Sequence, residues 1–187
     1  FESDYLHIEE LADRLFISRS TVNAHLAQAR RIVARNREAR LVVSPRRGLW
    51  IDAREDTKRL FCAKLMNEDL DYAALLRMPR MAGLSQLEKE LQQALPRIFL
   101  AENILISGQA FQYFTRFLAI SINRSRLGTV MPEAAEARES SPFVCELNRQ
   151  VGLRTGYQFS VAEQELIRQR IHELNLIAKY PVRDKEI

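Results

Sequence analysis

Near its start the chain carries the stretch Ile8-Glu-Glu-Leu-Ala-Asp-Arg-Leu-Phe-Ile-Ser-Arg-Ser-Thr-Val-Asn-Ala-His-Leu26, which predicts two short helices and a tight turn. Apolar residues in its first half follow the i, i+3, i+4, i+7 spacing of an amphipathic helix: Ile8, Leu11, Ala12 and Leu15. Ser18 can cap a second helix, whose apolar face consists of Val22, Leu26, Ala29 and Val33. Because Ala12 is small enough for a close helix crossing, the stretch is typical of a helix-turn-helix.

The second predicted helix has a polar face that suits nucleic acid. The side that its apolar residues leave free carries Arg19, Ser20, Asn23 and Arg30. Short hydroxyls and an arginine at a helix N-terminus suit phosphates and base edges, because backbone N–H groups point there. An ordinary helical hairpin is the alternative. Phe16 occupies a turn position that favours glycine, and we expect packing of its ring to offset a cost of roughly 1–2 kcal/mol.

A predicted β-hairpin follows the second helix. One strand is Leu41-Val-Val-Ser-Pro45, its partner is Leu49-Trp-Ile-Asp52, and Arg46-Arg47-Gly48 forms the turn between them. A hairpin at this point is the wing of a winged helix, and arginines at its tip suit phosphates or a narrow minor groove. Trp50 could stack on bases, but a lone aromatic residue on a hairpin favours a place in the core.

Positive charge is concentrated around these elements. Residues 14–54 contain ten arginines and two acidic residues, a net charge of +8, whereas the rest of the chain carries −4. Such a distribution is the electrostatic signature of a nucleic-acid-binding module. Arg35, Arg37 and Arg40 could instead lie on the solvated surface of a linker.

Helical signals replace strand signals from Asp56 onward, so the fold class is mostly α, with an all-α bundle after the hairpin. Asp56 is predicted to cap a connecting helix that runs toward Leu75 and Leu76, and residues 77–83 are predicted to be a linker. Four further helices are predicted: from Leu84 to Leu95 with an interruption at Pro96, from Phe111 to an end at Gly128, from Phe143 to an end at Gly152, and from the capping box Ser160–Glu163 to a stop at Pro181. The predicted domains are residues 1–55, a connecting segment 56–83, and residues 84–187.

Composition excludes several classes of protein. The sequence contains no apolar run long enough to span a membrane and no stretch that resembles a signal peptide. Cys62 and Cys145 are expected to be buried, reduced thiols of a cytoplasmic protein. No phosphate-binding glycine loop, metal-ligand cluster or nucleophile–histidine pattern is present, so we expect no enzyme, cofactor or metal site. The paired carboxylates are expected on solvated helix faces: Glu88 with Glu90 and Glu163 with Glu165. Since a winged helix normally has one more helix in front, we expect that helix to be missing here.

The order of these parts resembles one family of transcriptional regulators: winged-helix activators of sugar operons that carry phosphotransferase-system regulation domains and are related to bacterial antiterminators. The resemblance covers nearly the whole chain and is carried by Glu10-Leu-Ala-Asp-Arg-Leu-Phe-Ile-Ser-Arg-Ser-Thr-Val22, Arg47-Gly-Leu-Trp50, Phe117-Leu-Ala-Ile-Ser-Ile-Asn-Arg124 with Arg126, Leu127 and Gly128, and Glu163-Gln-Glu-Leu-Ile167. It implies a homodimer, with residues 84–187 as the regulation domain and with histidines phosphorylated by phosphotransferase-system proteins. Phe117 and Arg170 stand where those histidines align, which leaves His172 as the candidate for phosphorylation.

We therefore expect a cytoplasmic, DNA-binding regulator of carbohydrate-utilisation genes. Asn23 and Arg19 would contact base edges, since amide and guanidinium groups can pair bidentately with adenine and guanine. The full predicted DNA-binding set is Ser18, Arg19, Ser20, Thr21, Asn23, His25, Arg30, Arg46 and Arg47. Two alternatives remain open: a protein-interaction and oligomerisation module without specific DNA binding, and an RNA antiterminator.

Overall fold

The computed structural model describes residues 5–67, 81, 83–132 and 141–174. The chain divides into two compact units, Phe1–Phe61 and Cys62–Ile187. The first unit begins with α1 (Ile8–Leu15), α2 (Arg19–Val33) and the strands β1 (Arg40–Ser44) and β2 (Gly48–Asp52). Helix α3 (Glu55–Asn67) starts in the first unit and ends in the second, which continues with α4 (Leu84–Ala101), α5 (Gly108–Arg126), α6 (Pro142–Thr155) and α7 (Val161–Glu173). The described chain is thus mostly helical, with one two-stranded antiparallel sheet, as the sequence predicts.

The predicted helix pair is present. Ser18 caps α2, since its Oγ accepts a hydrogen bond from the Thr21 amide at 3.1 Å, and Ala12 of α1 and Val22 of α2 are both buried. Phe16 ends α1 in the left-handed conformation, with φ 54° and ψ 40°. Its side chain, however, is 94% exposed. The expectation that ring packing offsets the backbone strain is therefore wrong.

The hairpin is also present. Each of its strands begins one residue earlier than predicted, at Arg40 and at Gly48. Residue pairs run from Arg40 opposite Asp52 to Ser44 opposite Gly48, so Pro45 belongs to the turn. Gly48 has φ +83°, and a Cβ atom at this position would lie 2.6 Å from the Leu6 carbonyl oxygen. This close approach exists because Leu6 pairs with Leu49 through two backbone hydrogen bonds of 2.9 and 2.8 Å.

Trp50 takes part in packing. It is half-buried, and its ring meets that of Tyr5 edge-on with 5.0 Å between centroids. A T-shaped aromatic contact of this kind stabilises the hairpin against the segment before α1. Trp50 therefore packs at the edge of the first unit and is not part of the buried core that the sequence favoured.

Helix α3 begins at Glu55, one residue before the predicted cap. The Asp56 carboxylate accepts a hydrogen bond from the Thr57 amide at 2.6 Å, within the first turn. Glu55 pairs at 2.9 Å with the fully buried side chain of Arg59. The predicted continuation to Leu75 and Leu76 lies outside the described residues, as does most of the predicted linker.

The four helices from Leu84 onward carry the larger core. The Phe99 ring stacks on Phe143 at 5.5 Å and lies 6.0 Å from Phe114, which joins α4, α5 and α6. Pro96 does not end α4, which continues to Ala101. The helix persists because Ile98 and Phe99, just beyond the proline, are buried, and their packing outweighs the lost hydrogen bond.

The ends of the later helices are set by local signals, with one correction. Gly128 ends α5 as predicted. Its amide donates a hydrogen bond to the Ser125 carbonyl, and the Thr129 amide donates one to the Arg124 carbonyl. These two hydrogen bonds form a Schellman motif. Gly152 does not end α6, which continues to Thr155 and is capped by Gly156 in the left-handed conformation. The described helix α7 ends at Glu173, and Pro181 lies outside the described residues.

Two expectations about polar residues are wrong. Glu88 and Glu163 are buried rather than solvated. Besides forming the predicted capping box with Ser160, Glu163 accepts hydrogen bonds from the Ser125 hydroxyl at 2.6 Å and the Tyr157 hydroxyl at 2.7 Å. Cys145 is exposed and Cys62 is half-buried, whereas both were expected to be buried. Within the described residues, no helix has both the length and the apolar character needed to cross a membrane.

Candidate nucleic-acid interface

The N-terminus of α2 presents a cluster of hydroxyl groups. The Ser18 Oγ lies 2.7 Å from the Ser20 Oγ and 2.8 Å from the Thr21 Oγ1. No acidic residue occupies the first turn of α2, so the positive end of the helix dipole is not neutralised from within the helix. This end of α2 can therefore receive a phosphate through hydroxyl and backbone N–H donors.

Three predicted side chains lie along one flank of α2. At 100° per residue, Arg19, Asn23 and Arg30 fall within an arc of about 40° and span about 16 Å of the helix axis. All three are exposed. His25, although exposed, lies about 160° around the helix from Asn23. The structure brings the first three residues together and leaves His25 on the opposite flank.

The face of α2 directly opposite its buried residues contains a basic residue that the sequence prediction missed. Arg31 lies about 180° from Val22, and it is exposed together with Ser20, Ala24 and Ala27. The two alanines make this face shallow enough for a close approach to a groove. The signal for Arg31 is its position in the helical period, because it lies opposite the centre of the apolar stripe of α2 and not beside Asn23.

The arginines of residues 14–54 divide into paired and unpaired groups. Four form ion pairs: Arg14 with Glu10, Arg19 with Glu9, Arg40 with Asp52 and Arg54 with Asp56. The other six are exposed and have no carboxylate partner among the described residues: Arg30, Arg31, Arg35, Arg37, Arg46 and Arg47. Like charges without partners repel one another and disfavour the compact state. A polyanionic ligand would remove this repulsion.

The hairpin tip holds two of the unpaired arginines on an ordered turn. The Ser44 Oγ accepts hydrogen bonds from the backbone amides of Arg46 and Arg47, each at 3.3 Å. Ser44 pairs with Gly48 in the strand register, which fixes the base of the turn. The two guanidinium groups therefore project from a short, anchored loop, a geometry that suits contacts with phosphates.

The residues of the predicted phosphorylation site lie in the second unit. His172 is exposed on α7, beside a mainly apolar pocket of about 390 Å³. Phe117 is fully buried, and Arg170 forms an ion pair with Glu173. Arg170 also interacts with the hydroxyl of Tyr113 on α5. Burial raises the pKa of this hydroxyl, whereas the charge of Arg170 lowers it. Of the three positions considered for phosphorylation, His172 alone has both an imidazole ring and exposure to solvent.

Comparison with known proteins adds no family assignment. No family model matches the chain, and no curated protein is significantly similar to it in sequence.

Proposed function

We propose that the protein is a transcriptional regulator whose first unit binds double-stranded DNA as a winged helix-turn-helix. The observation that carries the proposal is the group of six exposed arginines without carboxylate partners on α2, on the loop after it and at the hairpin tip. Neutralising phosphates with such residues releases counterions, which supplies much of the affinity of DNA-binding proteins. The Leu6–Leu49 bridge supports the winged form because it adds a third extended segment beside the hairpin.

In this proposal α2 lies in the major groove, which is wide enough to admit one helix. Asn23 and Arg19 contact base edges, and the Ser20 and Thr21 hydroxyls contact phosphates at the helix N-terminus. The shallow face around Ala24 and Ala27 allows the helix to approach the floor of the groove. This assignment adds Arg31 to the predicted DNA-binding residues and makes His25 a minor contact.

The hairpin tip extends the contact beyond α2. Arg46 and Arg47 bind phosphates or a narrow minor groove, where the negative potential is strongest. Because these contacts do not depend on base identity, they raise affinity for all duplexes. The hairpin thus adds affinity and α2 adds specificity.

The helical second unit supplies dimerisation and regulation in this proposal. Its support is the resemblance of Phe117–Arg124 and Glu163–Ile167 to the regulation domains of sugar-operon activators. That resemblance also makes carbohydrate-utilisation genes the targets and phosphotransferase-system proteins the partners, with phosphorylation at His172. Mass spectrometry after incubation with those phosphotransfer proteins tests the last point: a phosphate on a residue other than His172, or none at all, would contradict it.

Selection of binding sites from a random duplex pool tests the proposed function. We expect the wild-type protein to enrich one sequence motif. The Asn23→Ala variant should lose preference at one base pair, at a cost of about 1–3 kcal/mol. Gln28→Ala is the matched control, because Gln28 is an exposed amide on the other flank of α2. Binding without any enriched motif would favour the protein-interaction alternative, and equal effects of the two substitutions would refute the orientation of α2.

A further inference from the structure

An ion pair links the two helices of the helix-turn-helix. The Arg19 Nη2 on α2 lies 2.5 Å from the Glu9 Oε1 on α1. Both side chains face solvent, with 68% of Arg19 and 54% of Glu9 exposed. By contrast, the neighbouring pair Arg14–Glu10 lies entirely within α1. Arg19 is a proposed base-contacting residue of α2, and Glu9 binds its guanidinium group from the other helix, α1.

We propose that Glu9 is a positioning residue that orients Arg19 and thereby sets the sequence specificity of DNA binding. The inference rests on the proposed function. A guanidinium group has five N–H donors in a planar fork. The ion pair engages Nη2. The second N–H of Nη2 can still form a parallel fork with an N–H of Nη1 or Nε, and such a fork matches the two acceptors of a guanine edge.

Two physical effects of Glu9 act in the same direction. Holding the long Arg19 side chain in place before binding reduces the conformational entropy that the specific complex loses. The carboxylate also repels phosphates, so it disfavours complexes in which Arg19 merely contacts the DNA backbone. Both effects increase the ratio of specific to non-specific affinity.

A purely structural role for the pair is a poor explanation of its position. An exposed ion pair contributes little because water screens the charges, which is enough to bias the Arg19 side chain toward one orientation but too little to hold α1 against α2. Packing between α1 and α2 is provided by buried apolar residues, among them Ala12, Val22 and Leu26. The Glu9 pair differs from the Glu10 pair in its arginine. Arg19 lies at the N-terminus of α2, beside the hydroxyl cluster.

The test compares Glu9→Gln with Glu10→Gln in the full chain. Each substitution removes one negative charge from α1, so both should raise affinity for a random duplex. We expect Glu9→Gln to lower the ratio of affinities for the selected site and a random duplex by about two- to tenfold. Glu10→Gln should leave this ratio unchanged, and Glu9→Asp, which keeps the carboxylate, should stay closer to wild type.

A double-mutant cycle separates positioning from a structural effect. If Glu9 acts through Arg19, Glu9→Gln has no effect on the affinity ratio in an Arg19→Ala background. An undiminished effect in that background, or equal ratios for Glu9→Gln and Glu10→Gln, would overturn the inference while leaving the proposed function intact. A wild-type protein that enriches no motif would overturn both.

Discussion

Replacing Arg46 and Arg47 together with alanine tests the proposed contribution of the hairpin tip to DNA binding. Both guanidinium groups are exposed without a described carboxylate partner, so the substitutions break no internal ion pair. If each contacts one phosphate, the slope of log K against log salt becomes shallower by about 0.9 per arginine, or about 1.8 in total. Between 50 and 200 mM salt, the affinity of the variant should therefore fall about tenfold less than that of wild type.

Fluorescence anisotropy with a labelled duplex, repeated at several KCl concentrations, gives this slope directly. Affinity should fall for selected and random duplexes alike, because phosphate contacts are independent of sequence. The matched control is the double variant Arg14→Ala/Arg54→Ala. It also removes two positive charges, but from arginines that already pair with Glu10 and Asp56. An unchanged slope in the tip variant, or equal changes in both variants, would refute the role of the hairpin tip.

Three further predictions concern the fold. Phe16→Gly should raise the free energy of unfolding by about 1 kcal/mol, because glycine removes the left-handed strain and the exposed ring contributes no packing; no gain in urea unfolding would contradict this. Glu163→Gln should lower that free energy by about 1–3 kcal/mol, because the buried carboxylate accepts hydrogen bonds from Ser125 and Tyr157; wild-type stability would contradict the network. Hydrogen bonds from Arg149 and, to a smaller extent, from Gln150 lower the pKa of Glu146 to about 2, so the stability that this low pKa confers is present above the unfolded-state pKa and is lost as pH falls toward 2. An NMR titration should show this pKa returning toward 4.5 in Arg149→Ala, and an unchanged midpoint would contradict the assigned cause.

Local signals in the sequence identify much of the fold. Ser18 and Ser160 each precede a run with helical periodicity, and each caps the helix that follows. Gly128 supplies a left-handed residue where α5 ends. These features depend on residues within about one helical turn of each other, so they can be inferred without knowledge of the tertiary structure.

The errors arise where tertiary packing outweighs a local preference. Pro96 and Gly152 are helix breakers by propensity, yet both lie inside helices whose neighbouring residues are buried. Glu163 is one of a pair of charged residues that the sequence places on a solvated face. Its buried carboxylate accepts a hydrogen bond from Ser125, which is 38 positions away in the chain and so could not be identified from local sequence.

The candidate interface was predicted in part. The sequence identified the polar flank of α2 and the arginines of the hairpin tip, because charge and helical period are visible in it. It could not show which arginines have partners, since the pairing of Arg19 with Glu9 depends on how the turn at Phe16 brings α1 against α2. It also overlooked Arg31, which stands opposite the centre of the apolar stripe.

We propose that DNA contacts α2 and the hairpin tip in the same complex. Backbone amide chemical-shift mapping of the full chain, titrated with a short duplex carrying the selected sequence, tests it most directly. We expect the largest shifts within residues 18–31 and 44–48, with the His25 amide less affected than that of Asn23. Shifts confined to α4–α7, or no shifts at a saturating duplex concentration, would contradict it.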